Sequence, residues 1–291
     1  MRCAYLSPAA RRGACLGVIL GMAASATAFA GPAVFTWNPA ATGDTTAGTF
    51  SADRFGINDW ATIHVPADPA PAGSVTESGF LEVSGFSLGG VPVSTVGTAG
   101  AGGYGIYEQF TATSHLAPCA GGLCGAFDSI SVAVYLYSTL HGFASYSFPG
   151  AVATMHLPAG AHPVLLATGG GPVGAAPNFA NIIGGIPGAD VGVSFDPNPA
   201  VADFFVAPAN IVLDLEQAFT NTAGVLVSVP STCKKTGKLP CTIEIRGGGG
   251  NGDFFLVPEP ASTGLLGLGA ASLGAVMRRR RGNNARAHRV R

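Results

Sequence analysis

The sequence predicts an all-β protein, an antiparallel β-sandwich or barrel-like domain, with a hydrophobic segment near each end of the chain. Three observations support this fold class. The 43 glycines and 21 prolines are spread along the 291 residues and punctuate short extended segments. The segments between them are rich in β-branched and aromatic residues. Helical periodicity is weak and confined to the residues around Asp214–Phe219.

The clearest predicted strand is Ser129–Ser138. Its residues alternate, so that Ile130, Val132, Val134 and Leu136 face one way and small or tyrosine side chains face the other. Six further segments have similar length and content: Gly79–Leu88, Tyr104–Ser114, His162–Thr168, Asn210–Thr222, Gly224–Val229 and Cys241–Arg246. Between them, Gly169–Pro177 is predicted to be a long loop or a boundary between two halves.

The N-terminal residues 1–30 have the layout of a secretory signal peptide. Three arginines precede a run of small or apolar residues, and Ala28 and Ala30 form a small-x-small cleavage pattern. We therefore expect the general secretion machinery to export the chain and signal peptidase to remove this segment.

The C-terminal part has three components in a fixed order. Pro258-Glu259-Pro260 comes first, and Ala261–Met277, which has no charged residue, follows. As a helix this segment would be about 25 Å long, close to the thickness of a hydrocarbon core. The next four residues are arginines, which favour the cytoplasmic side of a membrane: Arg278, Arg279, Arg280 and Arg281. We predict a single transmembrane helix followed by a basic cytoplasmic tail, residues 282–291.

These three components resemble the PEP-CTERM sorting signal of Gram-negative bacteria that make exopolysaccharide. The resemblance covers Val257–Arg281. It implies that exosortase, an integral-membrane cysteine protease, recognises the Pro-Glu-Pro sequence and removes the tail. The two prolines favour an extended segment, and Glu259 offers a charge for recognition. The implied route is transient anchoring in the inner membrane, then the cell surface or the extracellular matrix.

Residues 31–256 are predicted to form the exported β-rich domain. Gly31–Pro260 contains five of the 15 Lys and Arg residues and all 16 Asp and Glu residues, so its net charge is −11. Such a chain lacks the basic surface that displaces counterions from phosphate, and we predict no binding to nucleic acid. An acidic body also suits solubility outside the cell.

Four cysteines remain after removal of the signal peptide, and an even number in an exported chain favours disulfides. Three pairings are possible. We favour the two local bridges, Cys119–Cys124 and Cys233–Cys241, each across a turn-like segment. The alternative, a four-cysteine zinc site, lacks the usual repeated spacing. We predict neither a metal nor a cofactor.

Ser87 is the one candidate nucleophile. It lies at the centre of Gly85–Gly89, which fits the G-x-S-x-G pattern of α/β-hydrolases. That pattern requires a helix directly after the serine, whereas turn residues follow here. Asp128 and a later histidine (His141, His156 or His162) have the right order for a triad, but alternating strands and helices to assemble them are missing. We expect no enzymatic activity; the alternative is a secreted hydrolase acting on polysaccharide or esters.

Two glycine runs, Gly100–Gly105 and Gly247–Gly252, fit G-x-G-x-x-G, but a strand-like segment follows each where a dinucleotide site needs a helix. We predict turns. An outward aromatic ring on a sheet can stack on a sugar, but tyrosine is equally a good strand former, and we favour this second interpretation. The aromatic residues in or beside the predicted strands are Trp37, Trp60, Tyr104, Tyr107, Tyr135, Tyr137 and Tyr146.

The succession of several segments is similar to the flocculation-associated branch of PEP-CTERM proteins: Tyr104–Thr113, Gly125–Tyr137, Leu165–Gly171, Asp203–Pro208, Asp214–Thr222 and Gly247–Phe255. Members of that branch help cells aggregate within secreted polysaccharide, and they offer no catalytic residues to carry over. The resemblance implies extracellular polysaccharide as a partner and a role in floc formation. A purely structural surface protein is a further alternative.

Overall fold

Antiparallel strands dominate the computed structural model, as the sequence predicts. It describes residues 33–67, 74–93, 96, 100, 102–173, 178–183, 186–207, 212–217 and 240–255. Three short 3-10 helices accompany the strands in these ranges: Pro39–Thr42, Pro149–Ala151 and Pro199–Phe204. None of the helices described is long and apolar enough to cross a membrane. The predicted signal peptide and the predicted C-terminal transmembrane helix lie outside the described residues.

The described residues form sixteen strands: β1 Phe35–Trp37, β2 Phe50–Ala52, β3 Arg54–Val65, β4 Ser74–Leu88, β5 Val91–Pro92, β6 Tyr104–Cys119, β7 Gly122–Ser138, β8 Ser145–Ser147, β9 Thr154–His156, β10 Val164–Gly171, β11 Asn178–Ile183, β12 Ile186–Ser194, β13 Asp196–Pro197, β14 Phe205–Ala207, β15 Val212–Gln217 and β16 Cys241–Phe255.

Eight of these strands pair in a ring. Their order is β11, β12, β15, β16, β3, β4, β6 and β7, and the pairing of β11 with β7 closes it. The first half of β7 pairs with β11 at Gly122–Gly125, whereas its second half, Ile130–Leu136, pairs with β10. Of the two architectures that the sequence allows, the arrangement corresponds to the barrel-like one.

The hydrophobic core fills the interior of this ring. The alternation predicted along β7 is confirmed, because Ile130, Val132, Val134 and Leu136 are all buried on the inner side. Strands β3 and β6 follow the same two-residue period, which places every second side chain in the core.

One end of the ring is closed by aromatic side chains beneath the small sheet β14–β1–β2. Trp37 lies at their centre, with ring-centroid distances of 4.8 to 6.2 Å to its neighbours. We call this the aromatic end; its rings are Phe35, Trp37, Phe50, Phe55, Phe86, Phe195, Phe204, Phe205 and Phe254.

The opposite end is held by covalent bonds, and we call it the disulfide end. Cys119 and Cys124 form a disulfide across the β6–β7 turn, which is the local bridge favoured from the sequence. Cys241, at the start of β16, is also disulfide-bonded. Its expected partner, Cys233, lies outside the described residues.

Two predictions from sequence are wrong. Gly247–Gly252 is part of β16, and Gly169–Gly171 is part of β10. A β-carbon at Gly252 would lie 2.1 Å from the Phe55 ring, so glycine is there for close packing within a strand. Within the predicted strand segment Asn210–Thr222, Val212–Gln217 forms β15, so the weak helical period around Asp214–Phe219 does not produce a helix in these residues. The predicted strand Gly224–Val229 lies outside the described residues.

Candidate functional site

One outer face of the ring carries a row of hydroxyl groups. The strand register places five side chains next to one another across β16, β3, β4, β6 and β7: Thr242, His64, Thr76, Thr113 and Ser129. Directly paired residues share a face of the sheet. Nδ1 of His64 is 3.0 Å from Oγ1 of Thr242, and the Thr113 and Ser129 hydroxyls are 2.7 Å apart. With strands about 4.8 Å apart, this hydroxyl row is roughly 19 Å long.

The segment after β7 folds back over the same face. The Tyr146 ring stacks on Trp60, with 4.6 Å between centroids and 5° between planes. The backbone N–H of Ala153 donates to Oγ1 of Thr62 at 3.1 Å. The Arg246 guanidinium lies 4.8 Å from the centre of the Phe148 ring. These contacts fix the β8–β9 hairpin on the sheet.

A groove of about 520 Å³ opens beside this segment, at one end of the hydroxyl row. This volume lies within the range of roughly 300–1,000 Å³ that is typical of ligand sites. Ala151, from the overlying segment, forms one wall of the groove. The polar lining residues come from the sheet: His64, Ser74, Thr76, Thr242 and Glu244.

The groove suits a neutral ligand rich in hydroxyl groups. Threonine and serine hydroxyls both donate and accept hydrogen bonds, as sugar hydroxyls do. The Glu244 carboxylate accepts from Nε of Arg246 at 3.0 Å, so its charge is compensated. The described lining residues include neither lysine nor arginine.

The aromatic residues singled out from the sequence take two different roles. Trp37 and Tyr104 are buried in the core, where they cannot stack on a sugar. The others lie on the outer side, where they pack on one another: Trp60, Tyr107, Tyr135, Tyr137 and Tyr146. Burial, with neighbouring tyrosines, raises the pKa of Tyr107 to about 12. These rings pack against the segment that forms one wall of the groove.

Three carboxyl groups point to the inside of the ring, away from the groove. Burial raises the pKa of Glu77 to about 7 and that of Glu108 to about 8. The pKa of Asp59 is raised well above its ordinary value, first by burial and then by the charge of Glu77. Glu77 borders an internal cavity of about 20 Å³, enough for one water molecule. These groups belong to the core.

The residues weighed for the alternative, a hydrolase, are not brought together. After Ser87 the chain makes a turn at Gly89–Gly90 and enters β5, not a helix. Asp128 pairs with His115, with 2.5 Å between Oδ2 and Nδ1. His115 is opposite Ser74, and Ser87 lies 13 residues further along β4, about 40 Å away. Elsewhere in the described ranges, no group of three His, Cys, Asp or Glu side chains is arranged to hold a metal.

The predicted sorting residues follow directly after the last described strand. Phe255 ends β16, and Pro258, Glu259, Pro260 and the arginines from Arg278 to Arg281 lie outside the described residues, as do Ala28 and Ala30. Only two residues separate Phe255 from the Pro-Glu-Pro sequence. Any protease that acts there works next to the aromatic end of the ring.

Comparison with protein-family models identifies this terminal segment. Residues 256–281 match the PEP-CTERM protein-sorting motif, beginning one residue before Val257. Proteins with this motif are exosortase substrates, so the chain is targeted for export and membrane-associated sorting toward the cell surface. No curated protein and no solved structure matches the chain. The flocculation branch therefore stays a prediction.

The groove could not be predicted from local sequence patterns, because the residues that line it are distant in the chain. His64 and Thr242 are 178 residues apart, and their contact depends on the pairing of β3 with β16. One local signal was present. Thr76 and Ser78 on β4, and Thr111 and Thr113 on β6, repeat hydroxyls at every second position.

Proposed function

We propose that this protein is a non-enzymatic component of the cell surface or extracellular matrix that supports cell aggregation and floc formation by binding exopolysaccharide. The PEP-CTERM motif at residues 256–281 carries the proposal, because it directs the domain to the outside of the cell. The groove next to the hydroxyl row is the binding site that we assign to the polysaccharide.

The chemistry of the outer face supports a neutral glycan as ligand. The hydroxyl row crosses five strands without a lysine or arginine, so a chain of sugars can exchange hydrogen bonds along it without competing for a charge. The net charge of −11 on Gly31–Pro260 disfavours anionic polymers.

Retention on the producer's own polysaccharide tests the binding site. The processed protein, Gly31–Val257, is passed over immobilised polysaccharide, beside a Thr76→Val/Thr242→Val variant. Valine keeps the β-branched shape of threonine and removes the hydroxyl. We expect the double variant to bind roughly thirty-fold more weakly, since each of the two lost hydrogen bonds contributes about 1 kcal/mol. Thr168→Val, at an exposed position of β10, is the matched control and retains full binding.

The other results distinguish the alternatives. An unmodified protein that passes through unretained would indicate a purely structural surface protein. Equal retention of all three forms would place the glycan away from the groove. Shortening of the polysaccharide during the experiment would favour the hydrolase alternative, and Ser87→Ala would then show whether Ser87 is its nucleophile.

A further inference from the structure

The two chain ends of the exported domain meet at the aromatic end of the ring. The backbone N–H of Ala33, the first described residue, donates to the carbonyl of Phe254. Phe254 is the penultimate residue of β16, and the sorting motif begins at residue 256. The segment after the signal peptide and the segment before the sorting motif therefore leave the domain at one place.

The spacer between this end and the predicted membrane segment is short. Five residues, 256–260, separate Phe255 from Ala261. A fully extended chain covers at most about 3.6 Å per residue, so the aromatic end lies within roughly 20 Å of the start of the apolar segment. The domain has little freedom to turn its other end toward the membrane.

Exposed aliphatic side chains surround the aromatic end. Val34, directly before β1, is 53% exposed, and Val206 in β14 is 56% exposed. Leu88 and Val91 face each other across the Gly89–Gly90 turn, 38% and 63% exposed. We call these four residues the aliphatic rim. Contact with an apolar partner would remove these side chains from water.

The charged groups nearby do not favour an anionic partner. Arg54 is paired with Asp253, with 3.7 Å between Nη2 and Oδ2. Oδ2 of Asp53 accepts from the backbone N–H of Gly89 at 2.8 Å. Asp44, after the 3-10 helix Pro39–Thr42, and Asp203, within the 3-10 helix Pro199–Phe204, are both exposed. We therefore expect a partner to bind this end through apolar contacts and not through charge.

We propose that the aromatic end faces the membrane while the chain is still attached to its C-terminal segment, and that the aliphatic rim touches the lipid of the periplasmic leaflet. The proposal rests on the export function proposed above and on residues 261–277 lying in the membrane. It places the groove away from the bilayer, because Thr242 is 12 residues from Phe254 along β16, about 40 Å. The polysaccharide site is thus open before the tail is removed.

Lipid-attached quenchers test this orientation. Residues 31–291 are reconstituted in phosphatidylcholine vesicles containing a spin-labelled lipid, with a fluorophore on Val34→Cys or Val206→Cys. Cys119, Cys124 and Cys241 are disulfide-bonded, so the dye reacts with the new thiol. Val152→Cys is the control, because Val152 is 52% exposed but lies on the segment over the outer face. We expect the labels at residues 34 and 206 to be quenched at least two-fold more than the label at residue 152.

Further variants separate the possible failures. Val91→Lys/Val206→Lys should reduce quenching of the label at residue 34 without releasing the protein from vesicles. Equal quenching at residues 34, 206 and 152 overturns the proposal. A chain that does not float with the vesicles overturns both the membrane segment and this orientation. Loss of polysaccharide retention with normal quenching counts against the glycan function alone.

Discussion

The two ends of the ring are closed by different means. At the aromatic end, rings contributed by β1, β3, β4, β14 and β16 pack around Trp37. At the disulfide end, the Cys119–Cys124 bond joins two neighbouring strands across one turn. The difference follows from the path of the chain. Segments distant in sequence can be held together by large-area burial, whereas a hairpin turn can be held by a local bond.

The largest effect on stability is expected at the aromatic end. Trp37→Ala removes the ring at its centre and leaves a cavity, which costs about 4 kcal/mol of unfolding free energy. For a domain of this size, the melting temperature should fall by roughly 10 °C. Thermal unfolding followed by circular dichroism measures the change. Trp37→Phe is the control and should lose much less; a Trp37→Ala variant that melts with the wild type contradicts the packing described here.

The interior between the two ends should respond to pH. The pKa of Glu108 is about 8 in the folded protein, against 4.5 for the free side chain, and that of Glu77 is about 7. The native state therefore holds protons that the unfolded chain has lost. The free energy of unfolding falls as pH rises, by up to about 1.4 kcal/mol per pH unit for each group, from about 4.5 to 7 for Glu77 and from about 4.5 to 8 for Glu108.

A neutral amide in place of one carboxyl isolates this effect. Glu108→Gln should make the loss of stability between pH 5 and pH 8 smaller by roughly 3 kcal/mol. Urea unfolding at four pH values in this range measures it, with Glu244→Gln on the outer face as the comparison. Parallel pH profiles for wild type and Glu108→Gln would show that Glu108 is ionised in the folded protein.

The smallest effect is expected at the disulfide end. Cys119–Cys124 closes a loop with a sequence separation of 5. The chain-entropy model gives such a loop about 2 kcal/mol. A Cys119→Ser/Cys124→Ser variant should therefore lower the melting temperature by about half as much as Trp37→Ala. A larger loss than at Trp37 would reverse the comparison between the two ends.

The same contrast explains what the sequence could reveal. Local patterns predicted the all-β class, the inward face of β7 and the favoured pairing of Cys119 with Cys124. Strand β3 was not predicted, because Gly56 and the inward Asp59 interrupt its apolar alternation. The strand nature of Gly247–Gly252 depends on the Phe55 ring, which lies almost 200 residues earlier. The groove likewise depends on the pairing of distant strands, which no local pattern encodes.

The C-terminus of the protein recovered from the cell surface tests the account most directly. Mass spectrometry of that material is compared between the intact gene and one that ends after Val257. We predict that the intact gene yields a surface protein without Arg278–Arg291, whose new C-terminus lies shortly after Phe255 at the aromatic end. The truncated gene should yield no exosortase-dependent surface material. A surface protein that still carries Arg278–Arg291 would contradict delivery by removal of the tail.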